Sequence, residues 1–198
     1  PTTLPFLAIG LAQIKNPSWH DVHNASLGLM ETMVFTYLST VALKRAFGRL
    51  RPDFLARCQP DANGQCTGDP DEIETGRESF PSGHTSLFFA GSTYLSLYLW
   101  GKLKPFQRGG ALWKMLVILS PIVIATAVGI TRVSDYRHHW EDVLAGSLLG
   151  TGMAVLGYRL NFPWPWSDKA GRAHQRTTWA ALPIIGPGSA GISAQGTF

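Results

Sequence analysis

Long apolar runs alternate with short polar stretches along this chain, and the runs are too long for strands. Segments 85–101, 115–131 and 143–158 contain no charged residue, and 25–43 contains only Glu31. A helix needs about 20 mostly apolar residues to cross a bilayer, with roughly 17 as the lower limit, and each run reaches that length once its flanks are added. A water-soluble bundle would have to bury several helices that are apolar around their whole circumference, and so small a domain has little interior in which to do it. The pattern predicts an all-α fold, an integral-membrane helical bundle.

Polar residues punctuate the runs. Asn24 or Ser26 can cap a helix that runs to about Phe47 and ends near Gly48. A loop rich in Gly, Pro, Asp and Asn follows (QPDANGQCTGDPDE), which is expected to be irregular and functional or mobile. Pro81-Ser82-Gly83 then reads as a helix start. A basic turn around Lys102 to Gly110 and a polar link from Arg132 to Arg137 separate the remaining helices, the last beginning near His138. Leu4 to Leu11 reads as the end of an apolar helix. This divides the chain into a helix remnant and connection at 1–24, a membrane domain at 25–160 and a tail at 161–198. Pro163-Trp164-Pro165-Trp166 suits a membrane interface. The Gly/Pro/Ser-rich stretch beyond it is expected to be disordered on composition alone, or else docked on its own chain or on a membrane-complex partner.

Charge gives the bundle an orientation. Only 15% of the 198 residues are charged against 45% apolar, away from the balance of a soluble domain. Lys102, Lys104, Arg108 and Lys114 occur in 101–114 without an acid, and Lys169, Arg172 and Arg176 follow Leu160 against Asp168 alone. The loop 49–82 instead carries four arginines and seven acids. Basic short loops favour the cytoplasm, so the acidic loop is expected on the extracytoplasmic or lumenal side. Nucleic acid is not an expected partner, because the basic residues flank membrane segments without a groove-reading motif. Cys58 and Cys66 both lie in the acidic loop. A bridge between them fits an oxidising compartment, and free thiols fit the same separation. No zinc spacing is completed, and no metal is expected. Asn24-Ala25-Ser26 has the glycosylation pattern, but the charge bias puts it on the cytoplasmic side, where it is coincidental.

With this topology three separated polar blocks reach one face. They are Lys44 with Arg51 and Pro52, Pro81 to His84, and Arg132 with His138 and Asp142. Phosphoryl transfer requires cations on the non-bridging oxygens, an in-line nucleophile and an acid for the leaving oxygen. Arg51 and Arg132 can offer bidentate forks and Lys44 a compact charge. Ser82 and Gly83, at a helix N-terminus, can add backbone N–H donors. His138 and Asp142 are four apart and share a face if both are helical, so the carboxylate could accept Nδ1–H and leave Nε2 as nucleophile. His84 then protonates the departing alkoxide. His139, Asp135 and Arg137 are assigned to structural or supporting positions, and Lys102, at the other end of the helix, should be dispensable for turnover.

These blocks resemble the type 2 phosphatidic acid phosphatase superfamily, which includes haloperoxidases of the same core, and most closely its lipid phosphate phosphatases. The family pattern is K-x6-R-P, P-S-G-H and S-R-x5-H-x3-D; here it reads KRAFGRLRP, PSGH and TRVSDYRHHWED, with Thr131 in place of the serine. The resemblance covers about residues 20–160. It implies His138 as nucleophile through a phosphohistidine, His84 as general acid, Asp142 as the group orienting His138, and Lys44, Arg51, Ser82, Gly83 and Arg132 as phosphate ligands. It also implies no cofactor, a phosphoric monoester hydrolase acting on phosphatidic acid, diacylglycerol pyrophosphate or related lipid phosphates, and more spanning helices than this chain supplies. Rival expectations are a non-catalytic subunit of a membrane complex, a vanadium-dependent haloperoxidase, and a module that binds anionic headgroups.

Overall fold

The computed structural model of the protein describes residues 3–13, 18–106, 112–167, 180–186 and 189–195. Among the described residues, seven helices follow in the order α1 (Thr3–Leu11), α2 (Trp19–Phe47), α3 (Phe54–Cys58), α4 (Pro70–Gly76), α5 (Gly83–Leu103), α6 (Leu112–Ser134) and α7 (Trp140–Asn161). A two-stranded antiparallel hairpin of β1 (Ala180–Gly186) and β2 (Ser189–Gln195) follows, with Ala180 opposite Gln195 and Gly186 opposite Ser189. At those residues the chain is paired as strands, where composition alone suggested disorder. Lys169, Arg172, Arg176 and Asp168 lie outside the described residues, as does Arg108.

Helix α5 is the centre of the bundle, packing on α7, α6 and α2. Ten of its 21 residues are buried, among them Thr85, Ser86, Thr93, Ser96, Tyr94 and Tyr98. Three helices, α2, α6 and α7, are long and apolar enough by themselves to cross a membrane. Their outward faces expose Val34, Leu38, Leu116, Val123, Ile130, Leu148 and Leu156. Apolar residues outside and small polar ones within is the packing expected of helices surrounded by lipid.

Helices α5 and α7 run parallel and approach at backbone distance. A Cβ built on Gly146 would stand 2.7 Å from the Ser82 carbonyl oxygen, and one on Gly150 would run into the Ser86 carbonyl oxygen. Helix α2 runs antiparallel to both. At one end Thr40 and Ser86 share a hydroxyl contact of 2.9 Å; at the other, the Asn161 amide donates to Glu31 at 3.2 Å.

Two boundaries differ from the sequence expectation. Helix α2 starts six residues before Ala25, capped by Ser18, whose hydroxyl accepts the Asp21 N–H at 3.4 Å. Its polar first turns survive burial because Asp21, 1% exposed, meets the Lys102 ammonium at 2.8 Å and the Tyr98 hydroxyl at 2.7 Å. The loop 49–82 is also more ordered than its composition suggests. Cys58 and Cys66 are bridged, Asp69 caps α4 by accepting the Asp71 N–H at 2.8 Å, and Arg57 pairs with Asp53 at 3.0 Å and with Glu72. At its start Gly48, with φ of 56°, ends α2 in a conformation that glycine adopts without a Cβ penalty.

Candidate active site

The end of the bundle where α2 and α6 finish and α5 and α7 begin carries the polar blocks. Lys44 is in the last turns of α2, with its ammonium 3.8 Å from Glu78. Arg51 follows in the loop, its N–H donated to the Gly76 carbonyl at 2.9 Å, which hangs the side chain from the start of the α4 exit. His84 is the second residue of α5. Arg132 is in the last turn of α6, because that helix continues to Ser134, three residues past the apolar run. The Arg132 carbonyl accepts the N–H groups of Arg137 at 3.1 Å and His138 at 3.2 Å, so the turn that ends α6 also positions His138.

Two cavities meet at these residues, of about 430 Å³ and 480 Å³. Arg51, His84 and His138 line both. The first extends between Tyr37, Val41, Leu87 and Phe88 and includes Lys44 and Gly83. The second is charged, adding Arg132, Asp135 and Arg137. Arg51 Nε is buried without a hydrogen-bond partner. A buried donor of that kind is costly unless something accepts from it. With Lys44 and Arg132 on the same walls, an anion is the acceptor that the donor set fits. Among the described residues, no group of three or more His, Cys, Asp or Glu is arranged to hold a metal ion.

His138 is 4% exposed and stands before α7, not within it. The i, i+4 geometry expected with Asp142 is therefore not helical, and Nδ1 lies 3.8 Å from the Asp142 carboxylate. Nδ1 instead sits 2.8 Å from the Ser79 carbonyl oxygen. A carbonyl only accepts, so Nδ1 carries the proton and Nε2 keeps its lone pair. Burial is the main cause that lowers the His138 pKa to about 4; the Arg51 cation adds to it, and the Ser79 carbonyl and Asp142 oppose it. The ring is thus neutral near pH 7.

Asp142, fully buried, accepts from the Arg49 guanidinium at 2.8 Å, the Ser79 hydroxyl at 2.5 Å and the His139 N–H at 3.0 Å. The last contact belongs to a capping box at the start of α7. Ser82 departs from expectation too. It is fully buried, its N–H is donated to the Asp142 carbonyl at 2.9 Å, and it lines neither cavity. Its backbone donor ties α5 to α7 and is not open to a ligand. Thr131 holds its neighbour: its hydroxyl oxygen lies 3.4 Å from Arg132 Nε and 3.3 Å from Nη2.

Sequence reasoning passed over Arg49 and Ser79. Ser79 lies just upstream of Pro81-Ser82-Gly83-His84, which was a usable signal; Arg49 had only its closeness to Arg51.

The sequence profile of the PAP2 superfamily matches residues 25–166. The chain belongs to this superfamily. All three blocks that gather at the PAP2 site fall inside the matched span. The chain is 41% identical over 180 residues to lipid phosphate phosphatase 2 of Arabidopsis thaliana, covering 86% of this chain and 62% of that protein. It is 40% identical over 168 residues to the probable diacylglycerol pyrophosphate phosphatase 1 of Schizosaccharomyces pombe, covering 78% and 59%. Against diacylglycerol pyrophosphate phosphatase 1 of Saccharomyces cerevisiae it is 39% identical over 153 residues, covering 72% and 53%. This PAP2 chain therefore spans about three-fifths or less of these relatives' length. No solved structure matches it.

Proposed function

We propose that this chain carries the catalytic centre of a membrane lipid phosphate phosphatase that hydrolyses phosphatidic acid, diacylglycerol pyrophosphate or a related lipid phosphate, with the site facing the extracytoplasmic or lumenal side. The observation that carries it is the junction of two unlike cavities at His138, His84 and Arg51. The cavity walled by Tyr37, Val41, Leu87 and Phe88 suits the glycerol and acyl side of a lipid, and the cation-lined cavity suits phosphate and water.

In the first half-reaction the lone pair on His138 Nε2 attacks phosphorus and the bond from phosphorus to the leaving oxygen breaks. Burial, and then Arg132, Lys44 and Arg51, hold the His84 pKa below the ordinary histidine value; a bound phosphate offsets those cations, and His84 in its protonated form gives its proton to that oxygen. Lys44, Arg51, Arg132 and the start of α5 at Gly83 hold the non-bridging oxygens, whose charge grows in the transition state. In the second half-reaction His84, now neutral, takes a proton from a water that attacks the phosphohistidine. The phosphorus–nitrogen bond breaks, inorganic phosphate is released and Nε2 regains its lone pair. Asp142 supports His138 from behind Ser79 and does not touch the ring directly. Binding of a headgroup alone would give no use for a neutral, tautomerically fixed imidazole beside a second histidine.

The test is release of inorganic phosphate from a panel of lipid phosphates by the full-length protein in detergent micelles with a chelator present. His138→Ala should abolish release, and Arg45→Ala, exposed on α2, should leave it unchanged. Equal rates for parent and His138→Ala would reject this mechanism.

A further inference from the structure

Among the described residues, Ser79 reaches both His138 and Asp142, its hydroxyl oxygen also lying 3.5 Å from His138 Nδ1. It is fully buried. Its carbonyl accepts the His138 Nδ1–H at 2.8 Å, its hydroxyl donates to Asp142 Oδ2 at 2.5 Å, and its N–H donates to the Arg49 carbonyl at 2.9 Å. Arg49 closes the circuit with its guanidinium on Asp142 Oδ1 at 2.8 Å. The carboxylate that the sequence pairs with the histidine is 3.8 Å from Nδ1, outside hydrogen-bond distance.

We propose that Ser79 is a positioning residue for the nucleophile: it couples Asp142 to His138 by holding the carboxylate with its hydroxyl and the imidazole with its carbonyl. The inference rests on the phosphatase reading and adds to it a residue outside the three sequence blocks. The physical argument concerns orientation. A carbonyl fixes the tautomer of the ring but can itself swing with its peptide plane. Ser79 sits in a loop before Pro81, so no helix or sheet ladder fixes that plane. The hydroxyl bond to Asp142, itself anchored at the start of α7, supplies the restraint, and Arg49 restrains the same peptide from its N–H side. Loss of the hydroxyl leaves the ring its acceptor but loosens the direction in which Nε2 points, and in-line attack is sensitive to that direction.

The experiment is a double-mutant cycle on lipid phosphate hydrolysis with Ser79→Ala, Asp142→Asn and the pair, in full-length protein shown by thermal unfolding in detergent to be folded. Ser79→Ala should lower kcat about 10- to 100-fold with KM within about threefold, because the support of a reacting group is lost and the lipid contacts are not. Added to Asp142→Asn, it should cost no more than about twofold further, since the two act through one relay. Ser79→Thr, which keeps the hydroxyl, should recover kcat to within about threefold of the parent. Multiplicative losses in the pair, a rise in KM in place of the fall in kcat, or full activity of Ser79→Ala would each overturn the relay. If Ser79→Ala does not fold, folded Ser79→Thr with a loss as large as that of Asp142→Asn overturns it equally. A parent that releases no phosphate would instead reject the phosphatase reading, so the two failures are distinct.

Discussion

His138 is held neutral mainly by its own burial and secondly by Arg51, so the two causes can be separated by removing the cation. In Arg51→Gln the imidazolium is less disfavoured, its pKa rises from about 4, and the acid limb of kcat/KM, which requires neutral His138, moves to higher pH. The limb should stop short of the position of an exposed histidine, because burial remains. The same substitution removes a phosphate fork and should lower the plateau rate by about 10²- to 10³-fold. A pH–rate series on the two proteins checks both effects, and an acid limb that moves to lower pH would contradict the assignment. At this scale the sequence pattern expected Lys44, Arg51, Gly83, His84, Arg132 and His138 to converge; Arg51, His84 and His138 line both cavities, Lys44 and Gly83 the first and Arg132 the second. The pattern misassigned the hydrogen-bond partner of His138, because spacing of four implies contact only on a continuous helix and α7 begins two residues later, at Trp140.

Helices α5 and α7 touch where glycine leaves the backbones bare. Gly150→Val would force the Ser86 backbone away and, with it, the α5 start that carries His84. Overpacking of this kind costs typically about 1–3 kcal/mol, and the unfolding temperature in detergent should fall together with activity. A second interhelical tie is at the opposite end, where Lys102 of α5 supplies the charge opposite buried Asp21 of α2. The sequence reading made Lys102 dispensable for turnover and gave it no part in stability. Its side chain is only 15% exposed, and Lys102→Ala would remove one of the groups that meet the buried Asp21 carboxylate, so the unfolding midpoint in detergent should fall. Thermal unfolding of Lys102→Ala beside Arg45→Ala measures this; equal midpoints would show that the pair contributes nothing. Element type was legible because apolar runs of this length admit few structures. The α2 start was not, since a buried aspartate is tolerated only through partners on another helix and in the segment before α2.

Across the whole molecule, four helix ends and the acidic loop form one polar face, and the proposed orientation, drawn from the charge bias of the remaining turns, puts that face on the extracytoplasmic or lumenal side. Glu74→Cys, on exposed α4, should react with a membrane-impermeant maleimide added from the extracytoplasmic side, and Phe106→Cys, at the far end of α5, should not. The native cysteines are bridged to each other and leave the assay clean. Labelling of Phe106→Cys alone would invert the topology. The sequence by itself determined the helical class and the apolar runs of α2, α6 and α7, because hydrophobic length is a property of single segments; α5, whose run 85–101 was also expected to span, is not among the three helices apolar enough to do so among the described residues. Only the tertiary structure decided that Ser79, not Asp142, meets the imidazole, that Ser82 has already used its N–H, and that Asp21 meets Lys102. Each of those is a choice among hydrogen-bond partners far apart in the chain, and such partners compete only once packing has brought them within 3 Å or so of one another.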